Sequence, residues 1–384
     1  MTPFIDLVRE SGPFQAMITL LQPLMTQPQY SKYFTPTFNE TRDWKGIEKE
    51  VGRVPVASFV ADHGDKPIVS LDKMDFTYGV LPSWGDQYPM SSEELIELQR
   101  LENYIKSNVV GINGTPADPI LVDQLTDQRK EMLVKRFDPI ARMPLAAMDK
   151  IAFEEWSNGT ATIDSTKNAP KVGLNIDFQI KKYHVQTVWS DTENANALKD
   201  IDAFVNKVWK DLHIRIDTLA LNPDEVRKIL SQKSTRDVVS TYITTGNRQT
   251  KMTGIPSSDE VNLILQGQYK IPALTVIDAV VDIRGAGGNI AVPSDSFNAF
   301  KDGRVSASIG TNLGKYMYTL SPMQRMPDNS YSYATSAGNV LISAKSSEGQ
   351  LDIKSDLCAL PVITVRKSMA ILVTDDTTTG SSLY

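Results

Sequence analysis

With 384 residues, the chain can hold a large core and two or three domains. Its net charge of −6 argues against a broad basic face that grips nucleic acid. No run approaches the roughly 18 to 20 apolar residues that span a bilayer. The single cysteine, Cys358, excludes an internal disulfide and points to a reducing compartment or to indifference to redox. The opening MTPFIDLVRESGPF has acidic residues and no basic flank, so it does not read as a secretory signal.

Residues 1–50 read as an arm. FIDLVRESGPFQAMITLLQPLM has helical apolar spacing broken by Pro13 and Pro23, and YFTPTFNETRDW is extended and irregular. Val54 to Val60 is strand-like, and ADHGDKP is a polar, turn-forming tip. From Met74 the pattern alternates, with Met74, Phe76, Tyr78 and Val80 on one side and Asp75, Thr77 and Gly79 on the other. A period of two is that of a strand with one wet and one covered face. Residues 51–84 therefore read as a long β-hairpin, sent out before any domain exists to cover its apolar face.

MSSEELIELQRL is a helix start, with Ser91 or Ser92 as cap and Glu93 and Glu94 in the first turn, where the helix dipole favours them. From Pro119 a long helix is expected, with Val122, Leu125, Met132, Leu133 and Phe137 on one face. Pro139 and Pro144 should kink or interrupt it. It resumes through Met148, Ala152 and Trp156 and stops at Asn158 and Gly159, which suit a left-handed cap. TATID and VGLNIDFQI read as strands. Leu198, Ile201, Val205, Val208, Trp209 and Leu212 mark an amphipathic helix. HIRIDTLAL is a strand, and NPDEVRKIL is a helix capped by Asn222 with Pro223 at its first position. SSDEVNLIL is a helix with Ser257 and Glu260 at capping-box spacing. ALTVIDAVVDI reads as one buried strand, and DGRVSASIG and ALPVITVRKSMAILVTD as strands near the end.

Chemistry-bearing motifs are scarce. His63, His184 and His213 have no second histidine or cysteine at ligand spacing, so no metal site is expected. His63 reads as part of a hydrated turn, and His184 and His213 as packing or surface residues at strand edges. VVDIRGAGGN, residues 280–289, lacks G-x-G-x-x-G spacing and a following helix, so it reads as a loop, and no cofactor is expected. Walker, nucleophile-elbow and Cys–His patterns are missing, and no carboxylate pair stands out as an acid–base couple. The acceptor patterns at Asn39, Asn113 and Asn158 carry no meaning without a secretion signal. Lys66 and Lys73 read as solvated hairpin charges rather than crosslinking lysines.

The order of elements resembles the major capsid proteins of tailed bacteriophages, in particular the phage lambda capsid-protein type with the Hong Kong 97 capsid fold. DKPIVSLDKMDFTYGVLPSWGDQYPMSSEEL resembles the family's hairpin arm running into a helix start at Ser92 to Leu95. DQLTDQRKEMLVKRFDPIARMPLAAMDKIAFEEWSNGTATI resembles its spine helix. VGLNIDFQI with Trp189, GRVSASIGTNLGKYMY and CALPVITVRKSMAILV are similar to later stretches. No single motif is specific; ordinary residue types stand in a telling order over most of residues 50–375.

The resemblance implies an α+β fold of five parts. These are an N-terminal arm (1–50), an extended β-hairpin loop (51–90), a peripheral domain with spine helix (91–190), an axial domain (191–355), and closing strands with a C-terminal tail (356–384). It implies that the hairpin face of Met74, Phe76, Tyr78 and Val80 is covered by a neighbouring subunit, and that the arm lies along another subunit edge, both making few contacts within their own chain. The implied partner is the chain itself, in pentamers and hexamers of an icosahedral shell that encloses double-stranded DNA without sequence-specific binding. Scaffolding, portal and decoration proteins are further implied partners. No enzyme activity and no membrane contact are implied, and the location is the virion, assembled in the bacterial host cytoplasm. Two other readings stand beside it: an encapsulin-like compartment shell, and an α/β enzyme with an unrecognised site.

Overall fold

Phe4, Val8, Phe14, Met17, Ile18 and Leu21 recur at helical spacing, and all six are buried. The computed structural model describes residues 4–25, 27–47, 76–109, 119–163, 173–245, 255–282, 296–347, 350–377 and 381–382. It folds the first of these into α1 (Phe4–Arg9) and α2 (Ser11–Leu21). Pro13 sits in the first turn of α2, where a backbone N–H has no helical partner anyway.

Five strands follow: β1 (Phe34–Phe38), β2 (Asp43–Ile47), β3 (Phe76–Val80), β4 (Ser83–Trp84) and β5 (Gln87–Met90). Then come α3 (Ser92–Val109), α4 (Pro119–Asn158), β6 (Thr160–Ile163), β7 (Leu174–Asp177) and β8 (Lys181–His184). The next block is α5 (Ala197–Leu212), β9 (Thr218–Leu221), α6 (Pro223–Ser231), α7 (Lys233–Thr245) and α8 (Ser258–Ile264). Short strands β10 (Leu274–Val276), β11 (Val280–Asp282) and β12 (Ser296–Asn298) precede β13 (Arg304–Ser308), β14 (Gly314–Thr319) and α9 (Pro322–Arg325). The chain closes with β15 (Ser332–Thr335), β16 (Leu341–Ser347), β17 (Gln350–Ile363), β18 (Met369–Val373) and β19 (Ser381–Ser382).

Two mixed sheets organise these elements. One runs β1-β14-β17-β16-β15, with β4 and β5 also paired to β17; the other runs β10-β9-β13-β18-β8-β19. Each backs a hydrophobic core. The first core joins α1, α2 and α4 to the β17 sheet, and the second joins α5, α6 and α8 to the β18 sheet. Within the second, the predicted caps form: Asn222 Oδ1 accepts the Glu225 N–H at 2.8 Å, and Ser257 and Glu260 make a reciprocal capping box. The closing strands fall in different sheets, β17 in one and β18 in the other.

Of the expected kink or interruption at Pro139 and Pro144, the interruption does not occur: α4 continues through both. At about 1.5 Å per residue it is about 60 Å long. Each proline removes one helical hydrogen bond and crowds the carbonyl four residues back. Phe137, Ile140, Ala141, Leu145 and Met148, all buried around the two prolines, hold the helix in place by packing. The helix ends as expected: Gly159 has φ +70°, and its N–H donates to the Glu155 carbonyl at 2.8 Å.

Other expectations need correction. The arm folds back on its own chain up to β1, which pairs in parallel with β14. The apolar face of α2 faces α4 and β15, so water is excluded from it without a neighbour. The partner of β3 is β2, drawn from the segment read as irregular. Val54 to Val60 and the tip ADHGDKP, with His63, Lys66 and Lys73, lie outside the described residues. Residues 273–282 are not one buried strand but carry two short ones in different sheets, with Val276 and Val280 exposed. Trp209, placed on the apolar face of α5, is 47% exposed, with Arg215 over its ring. His213 ends α5 at φ 58°, and only Thr218–Leu221 of its expected strand forms.

Two carboxylates tie the arm to the helices. Glu102 on α3 is buried; its carboxylate accepts the Phe4 N–H at 2.9 Å and the Arg129 guanidinium at 2.6 Å. One buried charge therefore joins α1, α3 and α4. Asp149 on α4 accepts the Tyr30 N–H at 2.7 Å. Burial pushes its carboxyl up to about 6, against the hydrogen bonds from Tyr30 and Gln29 and the charge of Arg142.

Glu102→Ala leaves a buried guanidinium and a free helix N–H, and lowers stability by about 3 kcal/mol, read as a shift in the urea midpoint. An unchanged midpoint would show that this ion pair does not hold the arm. Asp149 binds its proton more tightly folded than unfolded. Its stabilising contribution is full below pH 3.8 and is lost as pH rises through about 6. Asp149→Asn keeps the acceptor and removes the titration. The variant gains on the wild type across that window, by up to about 3 kcal/mol at neutral pH. A pH-independent difference in denaturation free energy would refute this assignment.

Candidate interaction surface

The register at the hairpin root sets its two faces. Asp43 pairs with Val80, Trp44 with Gly79, Lys45 with Tyr78, Gly46 with Thr77 and Ile47 with Phe76. Directly opposed residues share a face. Among the residues whose side chains are described, Asp43 and Lys45 thus share one face with Val80, and Trp44 shares the other with Gly79.

The second face is closed within the chain. Trp44 is buried, and its indole lies across Gly79 so closely that a Cβ there would sit 2.9 Å from the ring nitrogen. The first face is open where it can be judged, because Val80 is 62% exposed. Of the four residues expected to make inter-subunit contacts, Val80 is the one whose side chain is described; Phe76 and Tyr78 belong to β3, and their side chains are outside the description. Met74 lies outside the described residues.

Sequence reasoning missed three more exposed apolar side chains near this root: Phe38, Leu320 and Met326. They sit on segments bonded to one another and to the hairpin. The Asn39 N–H donates to the Tyr318 carbonyl at 2.8 Å, and Arg325 donates to the Glu40 carbonyl at 2.6 Å. The Leu81 N–H donates to the Arg42 carbonyl at 2.8 Å. Asp356 on β17 bridges the segments: burial raises its carboxyl, while a hydrogen bond from Ser321 and the charge of Arg42 act the other way. The missed signal was exposure in three dimensions; each residue stands alone in an unremarkable local pattern.

Nothing described resembles a catalytic centre. Among the described residues no three His, Cys, Asp or Glu side chains are placed to hold a metal ion. A cleft of about 120 Å³ lies between Tyr88 and α4, but its Arg136 is committed to Glu94 at 2.5 Å, whose carboxylate also takes the Tyr88 hydroxyl at 2.7 Å. His184 stands beside the Asp376 carbonyl at the end of β8, between β18 and β19. RGAGGN, residues 284–289, lies outside the described residues. No described helix is long and apolar enough to cross a membrane.

No protein-family model matches the chain, and no curated protein matches it. Solved structures do. The proposed capsid protein of a prophage of E. coli CFT073 is 12% identical over 95% of this chain and 98% of that one, with a TM-score of 0.52. The capsid of Myoviridae phage XM1 is 10% identical over 93% and 91%, with a TM-score of 0.36. The SrpI encapsulin of Synechococcus elongatus is 10% identical over 91% and 86%, with a TM-score of 0.34. The chain has the mixed helix-and-sheet fold of phage major capsid proteins, with one long helix, α4.

Proposed function

We propose that this chain is a major capsid protein of the phage lambda type that its sequence resembles, and that it assembles through pentamers and hexamers into the icosahedral shell of a phage head. The observation that carries the reading is a fold shared over 95% of the chain with a prophage capsid protein. The open hairpin face supports it. An isolated two-stranded hairpin is marginal in water. A second copy laid against the face of Phe76, Tyr78 and Val80 would remove that apolar surface from solvent.

On this reading the chain's work is assembly. Many modest interfaces, each repeated around a ring, add up to a durable shell. Double-stranded DNA would be enclosed without sequence-specific contacts, and scaffolding, portal and decoration proteins would be partners. The virion is the proposed location, reached by assembly in the host cytoplasm, and no catalytic step is proposed.

Negative-stain electron microscopy of the purified chain, alone and co-expressed with its neighbouring genes, tests this directly. Shells, tubes or rings of five or six are expected. Val80→Asp alters a side chain already exposed to solvent, so the monomer's melting temperature stays within about 0.5 kcal/mol equivalent of wild type, while assembly is lost. Tyr78→Asp should do the same. Normal shells from both variants would remove the hairpin face from the interface, and a uniform small particle under every condition would overturn the capsid reading.

A further inference from the structure

The outer side of the arm has an unusual composition. Charged residues make up 22% of the chain, yet residues 11–31 contain none. Helix α2 lies in this run, and it is the one described α-helix without a charged residue. Its inner face, with Phe14, Met17, Ile18 and Leu21, is buried in the first core. Its outer face carries Ala16 and Leu20, and Leu24 follows one turn on. All three are exposed, Leu20 at 66% and Leu24 at 59%.

Single exposed leucines are ordinary on a soluble protein. A solvated helix face without charge is not, because the outward side of an amphipathic helix normally carries charged residues. Other helices of this chain follow that rule. On α3 the exposed Ile96 stands among the exposed Glu93, Glu97 and Arg100. On α5 the exposed Trp209 has Arg215 over its ring and the exposed Lys210 beside it. Depletion of charge is what marks the centre of a contact between proteins.

The occupant that suits this face is the same face of a second copy. A two-fold contact sets each side chain near the axis against its own twin. A charged helix face used in that way brings like charges together, which is costly. The outer face of α2 carries no such penalty, and it offers two leucines for withdrawal from water. Ala16 is small, and the distance between packed helices is set by the side chains at the contact.

We propose that α2 packs against α2 of a second copy across a two-fold axis, with Leu20 and Leu24 at the contact. One helix pair makes a small interface. It is weak alone and gains strength where other contacts already hold the same copies together. No hairpin residue takes part, so the proposal stands independently of the hairpin face.

The test is disulfide formation in the full-length protein. Leu20→Cys and Leu24→Cys are made separately; both side chains are exposed, and the native Cys358 is buried. Mild oxidation of at least one variant should join two chains through the same residue, read as a dimer on a non-reducing gel and as a linked peptide pair by mass spectrometry. Such a bond needs Cα atoms within about 7 Å, which a two-fold contact provides near its axis and a head-to-tail contact does not. Leu263→Cys on α8, also exposed, measures random collision and should give far less dimer. Aspartate at the other leucine should cut the yield at least about tenfold, since facing like charges cost more than that factor. An equal mixture of chains with aspartate and chains with lysine there should restore it. Each change falls on an exposed side chain, so the melting temperature should stay close to that of the wild type. Absence of a same-residue dimer from both variants, an equal yield from Leu263→Cys, or no recovery from the mixed charges would overturn the proposal.

Discussion

The burial of α4 against β17 is the constraint on which the rest of the molecule depends. Strand β17 has 14 residues; its first half alternates between buried and half-buried, and from Leu357 to Ile363 it is buried throughout. It pairs with β14 and β16 along its length and with β4 and β5 where the chain returns from the hairpin. Helix α4 lies on it, and α1 and α2 close the first core. The apolar area removed from water here, at about 25 cal/mol per Å², outweighs the two hydrogen bonds that Pro139 and Pro144 cannot make. The helix is continuous because its packing is.

That first core also decides what is left outside. The arm is drawn into it by Phe4, Phe14 and Ile18 and fastened by Glu102 and Asp149. The hairpin is not drawn in. Its root is closed on one side by Trp44 lying over Gly79, and nothing among the described residues covers Val80 on the other. Among the described residues, Val80 at the hairpin root and Leu20, Leu24 and Phe38 on the arm are left to solvent.

What the sequence disclosed follows the strength of each local signal. Capped helices were legible because capping is written in adjacent residues: Ser91 with Glu94, Asn222 with Glu225, Ser257 with Glu260. The end of α4 was legible from Asn158 and Gly159, because only a left-handed turn explains that pair after a long apolar stripe. Strand pairing was not. The partnership of β1 with β14 joins residues some 280 apart, and no local pattern encodes it. The pairing of β3 with β2 was not legible because TRDWKGI shows no clean alternation; the expected strand Val54 to Val60 lies outside the described residues. Trp209 followed the helical stripe of α5, yet is 47% exposed with Arg215 over its ring. The candidate surface was half legible: alternation put Val80 on an apolar face, but Phe38, Leu320 and Met326 join it only through the fold.

The far end of α4 shows where the fold tolerates unfavourable electrostatics. Glu155 is fully buried, and among the described residues neither its carboxylate oxygens nor the indole nitrogen of Trp156 has a hydrogen-bond partner; burial, with the charge of Glu154, pushes the Glu155 carboxyl well above the usual range. One turn on, Lys182 is pushed the opposite way, and both shifts favour the uncharged form. Lys182 and Arg304 belong to the β18 sheet, while α4 belongs to the β17 core, so this is where the two cores meet. Polar side chains at such a junction cannot be optimised for either core alone. An apolar replacement for Glu155 would serve the local packing better, and a carboxylate beside Lys182 would serve the local charge better.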